Sequence, residues 1–305
     1  MTTRTFFSYL KETYQEWSDD DSFEKSASLA YYSVFSLPGL LIIIVTVASL
    51  IWSAQDIQEI ISGQVGEAMG GDAAEQIQTM IENSQQKSNS TMALIVGIAT
   101  LVFGATGVFS QLQKSLNNAW EVELDPDAGI MRTVISRITA LGIILTIAFL
   151  LIVSLLLSAA LSTINGWLQE QLPGIPSFLF FLVNNLVSVA VITVLFALMF
   201  KVLPDAKVEW RSVWAGALMT SILFTIGKFL LGFYFGQSEP GATFGAAGSI
   251  ILIMLWVYYS SLIMLFGAEF TQVYARRNGH RIEPSKHARR SAEYRLKQMK
   301  DNEYA

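Results

Sequence analysis

The sequence predicts an all-α, polytopic membrane protein with six transmembrane helices, an N-terminal interfacial helix and an extracytoplasmic helical hairpin. Three observations carry this expectation. Of 305 residues, 52% are hydrophobic and 15% charged, and the mean hydropathy is +0.44, above that of soluble domains. Six intervals carry no charge, or Lys228 alone, and each accommodates the ~20 apolar helical residues that cross a ~30 Å hydrocarbon core. Lysines and arginines concentrate in alternate connections between those intervals.

At the N-terminus, "RTFFSYLKETYQEW" sets Phe6, Phe7, Leu10, Tyr14 and Trp17 on one helical face and Lys11, Glu12 and Glu16 on the other, as the 3.6-residue period requires. This predicts an interfacial helix over residues 4–18, lying on the membrane surface or packing against the inner loops. The charge-free intervals, trimmed of their polar ends, predict spans near 28–53, 91–111, 137–163, 177–200, 210–235 and 246–274. Between the first two spans, residues 55–87 read as two short helices broken at Gly70-Gly71, a hairpin that caps the bundle or covers an opening as a lid. Residues 1–275 thus form the membrane domain and residues 276–305 a basic cytoplasmic tail.

Counted in order before, between and after the spans, the cationic residues number 3, 1, 3, 0, 3, 0 and 9, with Lys228 as the twentieth. Short loops rich in Lys and Arg stay on the cytoplasmic side, so this alternation places both termini there. The acidic run Asp19-Asp20-Asp21 before a long apolar stretch argues against a cleaved signal peptide.

Several chemistries are disfavoured. The chain has no cysteine, which removes disulfides, thiol nucleophiles and thiolate metal sites. It has two histidines, His280 and His287, both in the tail, too few for a zinc phosphodiesterase centre. No Gly-rich phosphate loop followed by Lys-Ser/Thr is present. A pI near 5.2 gives no general reason for a nucleic-acid partner. The expectation is a protein without cofactor, metal or catalytic residues, whose partners are membrane lipids.

Polar groups inside the spans are the candidate functional residues, because an ionisable side chain at mid-membrane costs a few kcal/mol. Lys228 in the fifth span and Asn184 and Asn185 in the fourth lie at similar depth, ~10 Å from the outer ends of their helices by helical rise. They form a candidate pocket for an anionic headgroup; alternatively Lys228 snorkels and the asparagines hold helices together. Glu269, near the inner end of the sixth span, forms a second candidate cluster with Tyr31, Tyr32, Gln111 and Lys114, either a gating carboxylate or an ion pair closing the bundle. Lys25, Lys114 and Arg211 are its candidate ionic partners. Gly267-Ala268 before it admits a neighbouring helix, and Pro38-Gly39 predicts a kink in the first span.

The stretches "ASLAYYSVFSLPGLL" (27–41), "FGATGVFSQLQKSLNNAWEV" (103–122) and "TFGAAGSIILIMLWVYYSSLIMLFGAEFTQVYA" (243–275) resemble the YihY/BrkB family of bacterial inner-membrane proteins, once labelled ribonuclease BN. The resemblance covers nearly the whole chain in order and spacing. One departure is Gly39 after the proline, where the family pattern is closer to Ser-Leu-x-Pro-Leu. The resemblance implies a six-span helical protein of the inner membrane, a link to serum resistance in some members, and roles in envelope lipid handling or transport. By motif it transfers Tyr31, Pro38, Gly267 and Glu269, and no catalytic residue. The leading expectation is a transporter or lipid-handling protein for an amphipathic or anionic molecule; the alternative is a structural or partner-binding protein of the envelope.

Overall fold

The computed structural model describes residues 3–48, 106–125, 177–238, 248–292 and 294–296, with positions 63, 66, 75, 78, 79 and 299. The expected hairpin at 55–87, apart from single helical positions, the span at 137–163 and most of that at 91–111 lie outside the described residues.

Helix α1 (Thr3–Asp19) is followed by α2 (Ser22–Ala48), with Asp21 between them in the left-handed region at φ 51°. Helix α3 occupies 106–119. Then come α4 (Ser177–Val202), α5 (Trp210–Ser238) and α6 (Gly248–Arg277). Helices α1, α4, α5 and α6 begin and end within three residues of the positions expected from the sequence. In contrast, α2 starts six residues before position 28, and α3 continues eight residues beyond 111. Hydropathy marks how much of a helix is apolar, and these two continue into polar sequence.

Among the described residues, three helices are long and apolar enough to cross a membrane, over Asn185–Val202, Trp210–Tyr234 and Ile250–Arg277. Along α5, Trp214, Leu218, Ile222, Ile226, Phe229 and Phe233 are all exposed. Their three- and four-residue spacing makes one continuous apolar ridge, the surface a helix presents to lipid rather than water.

Among the described residues, four short strands accompany the helices. Strand β1 (Val122–Leu124) pairs antiparallel with β4 (Ala288–Arg290), Val122 opposite Arg290. Strand β2 (Ala206–Lys207) pairs with β3 (Glu283–Pro284). The residues after α6, which the sequence sets apart as a basic tail, supply one strand of each ladder. Strands of two or three residues are too short for a period-2 pattern to be read.

The chain forms two compact units. The first comprises Met1–Asp20, Leu116–Leu223 and Phe266–Ala305, the second Asp21–Ser115 and Phe224–Leu265. In the first, Tyr9, Phe270 and Val273 are buried together, with Ala215, Met219 and Tyr274 packed around them. Helix α1 contributes Tyr9, Thr13 and Trp17, all buried and each four residues from the next, while Phe7 and Tyr14 are exposed. Of the expected aromatic face, Trp17 is buried and Leu10 packs against this cluster, and Tyr9 and Thr13, which the expected face does not include, widen the docking surface on one side. The fully buried Trp120 packs edge-on against Phe200 with ring centroids 6.1 Å apart.

Helix α6 ends in a Schellman turn. His280 N–H donates to Ala275 O at 2.9 Å and Gly279 N–H to Arg276 O at 3.3 Å, with Gly279 at φ 78°, where a Cβ would be strained. In the second unit, Tyr32 lies against α3 at Gly107, where a Cβ would come 2.5 Å from its ring, and the Tyr259 hydroxyl lies against Gly227 at a corresponding 1.6 Å.

Candidate functional site

In the first unit α5 and α6 approach through a reciprocal pair of contacts. A Cβ at Gly267 would sit 1.7 Å from Thr220 Oγ1, and one at Gly216 would sit 1.8 Å from Thr271 Oγ1. Each threonine hydroxyl donates back to the glycine carbonyl one turn earlier on its own helix, Thr220 to Gly216 O at 2.7 Å and Thr271 to Gly267 O at 2.8 Å. Hydroxyls that satisfy themselves in this way need no water, and small residues let the backbones close. The indole of Trp120 donates to Ala268 O at 3.2 Å, so Gly267-Ala268 is enclosed on both flanks.

This packing fixes Glu269, which is 2% exposed. Glu269 and Gln272, one turn apart on α6, line a cavity of 370 Å³ with Glu16, Asp19 and Asp20 from the end of α1 and Glu121 after α3. Ser291 and Tyr294 form another wall, where Ser291 Oγ accepts the Tyr294 N–H at 3.2 Å. Five of the described lining residues are carboxylates and none is Lys or Arg. Some of that charge is balanced nearby: Asn118 Nδ2 donates to Asp20 Oδ2 at 3.2 Å, and Arg276 pairs with Glu16 at 2.5 Å. Gln272 is 7% exposed, and its Oε1 has no hydrogen-bond partner among the described residues. No group of three His, Asp or Glu side chains among the described residues is placed to hold a metal ion.

Around the cavity, α1 is held to α6 by charge. Arg276 pairs with Glu12 as well as Glu16, and Arg277 pairs with Glu12. Arg277 also donates to Ser8 Oγ at 2.6 Å and stacks over Tyr9, 4.6 Å from the ring centre. Burial raises the pKa of Glu12, but hydrogen bonds from Arg276 and Arg277 and their positive charge outweigh it, leaving the carboxyl below its ordinary value. Residues after α6 are tied in likewise, with Arg289 and Arg295 on Glu123 at 2.8 and 3.0 Å.

Of the residues singled out from the sequence, Glu269 is the one that lines this cavity. Tyr31, Tyr32, Gln111 and Lys114 belong to the second unit, where Tyr31 meets Tyr32 and Phe35 edge-on at 5.7 and 4.9 Å, Gln111 is half-buried and Lys114 exposed. Among the candidate partners of Glu269, Lys25 also falls in the second unit and Arg211 is an exposed residue of the first. Lys228 is half-buried in the second unit, and Asn185 half-buried in the first. The side chain of Asn184 lies outside the described residues, as do those at Pro38-Gly39, although α2 runs through both positions without interruption. Sequence reasoning missed Gln272, Asp19, Asp20 and Glu121. The three-residue step from Glu269 to Gln272 was a usable signal; the approach of three separate segments was not.

A family model described as virulence factor BrkB matches residues 13–292. The chain belongs to that family. Similar proteins include one named "Putative ribonuclease-like protein YfkH" of Bacillus subtilis, 27% identical over 88% of this chain and 96% of YfkH. A UPF0761 membrane protein of Alteromonas mediterranea is 29% identical over 60% of each chain, and one of Pseudomonas paraeruginosa is 28% identical over 82% of this chain and 58% of its own. The chain therefore spans nearly all of YfkH but about three fifths of these two UPF0761 relatives. No solved structure matches it. With its apolar helices, this BrkB-family chain is a membrane protein.

Proposed function

We propose that this protein crosses the bacterial inner membrane six times with both termini in the cytoplasm, and that it transports or exposes an amphipathic, anionic molecule without chemical conversion. The observation that carries the reading is Lys228, a cation half-buried within the apolar helix α5 beside the exposed Phe229 and Leu230. A lysine kept inside such a span costs free energy unless an anion or water meets it. In this reading Lys228 supplies the charge that meets a headgroup. Glu269 acts at the inner end.

The competing reading is a purely structural membrane protein, favoured by the glycine–threonine seam between α5 and α6. Lipid mass spectrometry on purified wild type and Lys228→Ala separates the two. Loss of one anionic lipid at unchanged thermal stability supports the binding role; unchanged lipid content with a large fall in stability contradicts it. The lack of native cysteines makes single introduced cysteines clean topology probes: Ala305→Cys should be shielded from an impermeant maleimide in intact cells and Ser238→Cys accessible. The name of YfkH raises RNA cleavage as an alternative; metal-dependent cleavage by the purified protein, abolished by chelator, would contradict a non-enzymatic role.

A further inference from the structure

Helix α1 carries Arg4, Lys11, Glu12, Glu16 and Asp19, too many charges for a span, yet it lies along two helices apolar enough to be spans. Tyr9 packs against Phe270 and Val273 of α6 together with Ala215 and Met219 of α5, and the Trp17 ring meets Phe266 edge-on at 6.0 Å. By helical rise, Ala215 and Met219 lie ~8–14 Å along α5 from its start, and Phe266 ~16 Å from the end of α6. These contacts are with the flanks of the two helices, so the far side of α1 looks laterally away from the protein. At the same end, the exposed Trp210 and Trp214 stack at the start of α5, with Lys201 5.5 Å from the Trp210 ring centre. Such amphipathic rings and cations favour the boundary between acyl chains and headgroups.

On that far side are Phe7, Lys11 and Tyr14, whose four- and three-residue spacing sets them in one stripe. Phe7 is 74% and Tyr14 57% exposed, and Lys11 is exposed between them. The carboxylates of the helix are engaged elsewhere: Glu12 and Glu16 pair with Arg276 and Arg277, so Lys11 is the charge that the stripe presents. Aromatic rings flanking a cation suit the boundary of a bilayer with anionic headgroups, where the rings leave water and the ammonium meets phosphate. We infer that this stripe inserts into the headgroup layer of an anionic leaflet, at the membrane face where α6 ends, and seats α1 as a surface helix beside α5 and α6. The inference rests on the chain being a membrane protein and is independent of Lys228.

The full-length protein, which has no cysteine of its own, takes a nitroxide at Phe7→Cys, Tyr14→Cys or Lys286→Cys, the last an exposed position beyond α6. Each is reconstituted into vesicles of phosphatidylglycerol and phosphatidylcholine. Collisions with oxygen, which concentrates in lipid, are compared with collisions with a water-soluble nickel chelate. The oxygen-to-nickel ratio at positions 7 and 14 should exceed that at 286 several-fold. Tyr14 also touches Trp17, with ring centroids 5.8 Å apart, so the more exposed Phe7 provides the position at which labelling leaves the unfolding temperature unchanged. Adding Lys11→Glu should lower the ratio at position 7 in these vesicles and leave it unchanged in pure phosphatidylcholine. The inference is overturned if the ratios at 7 and 14 match that at 286, which puts the stripe in water. It is overturned equally if both reagents are excluded there, the mark of a protein-covered face, with spin–spin broadening identifying a second copy, or if Lys11→Glu acts alike in both vesicles.

Discussion

Asn117 and Asp205 exchange two hydrogen bonds: Asn117 Nδ2 donates to Asp205 Oδ2 at 3.0 Å, and the Asp205 N–H donates to Asn117 Oδ1 at 2.8 Å. The Asp205 carbonyl in turn accepts the Ser285 N–H at 2.8 Å. One amide therefore joins the end of α3 to the α4–α5 connection, which carries on into the β2–β3 ladder. Asn117 is 6% exposed, so Asn117→Ala leaves polar groups without partners at a cost of about 1–3 kcal/mol. Thermal unfolding in detergent should show a clear fall. Asn117→Asp should fall further, because it sets two carboxylates against each other; a variant as stable as wild type contradicts the linkage.

The attachment of α1 should depend on pH through Glu12. Its carboxyl lies below the ordinary 4.5 in the folded protein, so its contribution is complete above that value and is lost as pH falls through the folded pKa. Hydrogen exchange of α1 should stay slow from neutral pH down to about 4.5 and quicken below it, beyond the intrinsic change in exchange rate. Glu12→Gln should show faster exchange at neutral pH and a weaker acid response. Each partly exposed ion pair is worth about 0–1 kcal/mol, so Arg276→Gln with Arg277→Gln should release α1 more than either change alone.

Glycines on the same pair of helices should respond oppositely to a methyl group. Gly267→Ala drives a Cβ to 1.7 Å from Thr220 Oγ1, overpacking worth about 1–3 kcal/mol. Thr220→Ala in the same chain removes the nearest atom and should recover part of the loss. Gly232 has nothing within 4 Å of its Cβ position, and Gly232→Ala should stabilise by about 0.5–1 kcal/mol through helix propensity alone. Equal unfolding temperatures for the two alanine variants would contradict the close approach.

Truncation after Ile282 should lower the unfolding temperature. It deletes β3 and β4 and removes Arg289 and Arg295 from Glu123. A chain whose stability is unaffected would make these residues a dispensable appendage.

The described spans were legible because apolar length and the helical period are properties of consecutive residues. Thus α4, with Ser177 at its start, and α6, with Glu269 near its C-terminal end, could be placed from the order of residues alone. The wall that faces Glu269 could not, because Asp20, Glu121 and Tyr294 come from segments separated by 101 and 173 residues. Their convergence depends on Asn118 reaching Asp20 and on the β1–β4 pairing, and neither leaves a local pattern. Tyr9 illustrates a related limit: the stripe containing Phe7 and Tyr14 predicts a face for the membrane surface or the inner loops, whereas Tyr9, stacked beneath Arg277, lies outside that stripe and docks.

The interlocked Gly216, Thr220, Gly267 and Thr271 also restrict how the molecule can move. A slip of one helical turn, ~5.4 Å, would bring Ile263 or Thr271 opposite Thr220, β-branched side chains where only a hydrogen atom fits. Around this seam α5 and α6 must therefore travel as a single piece.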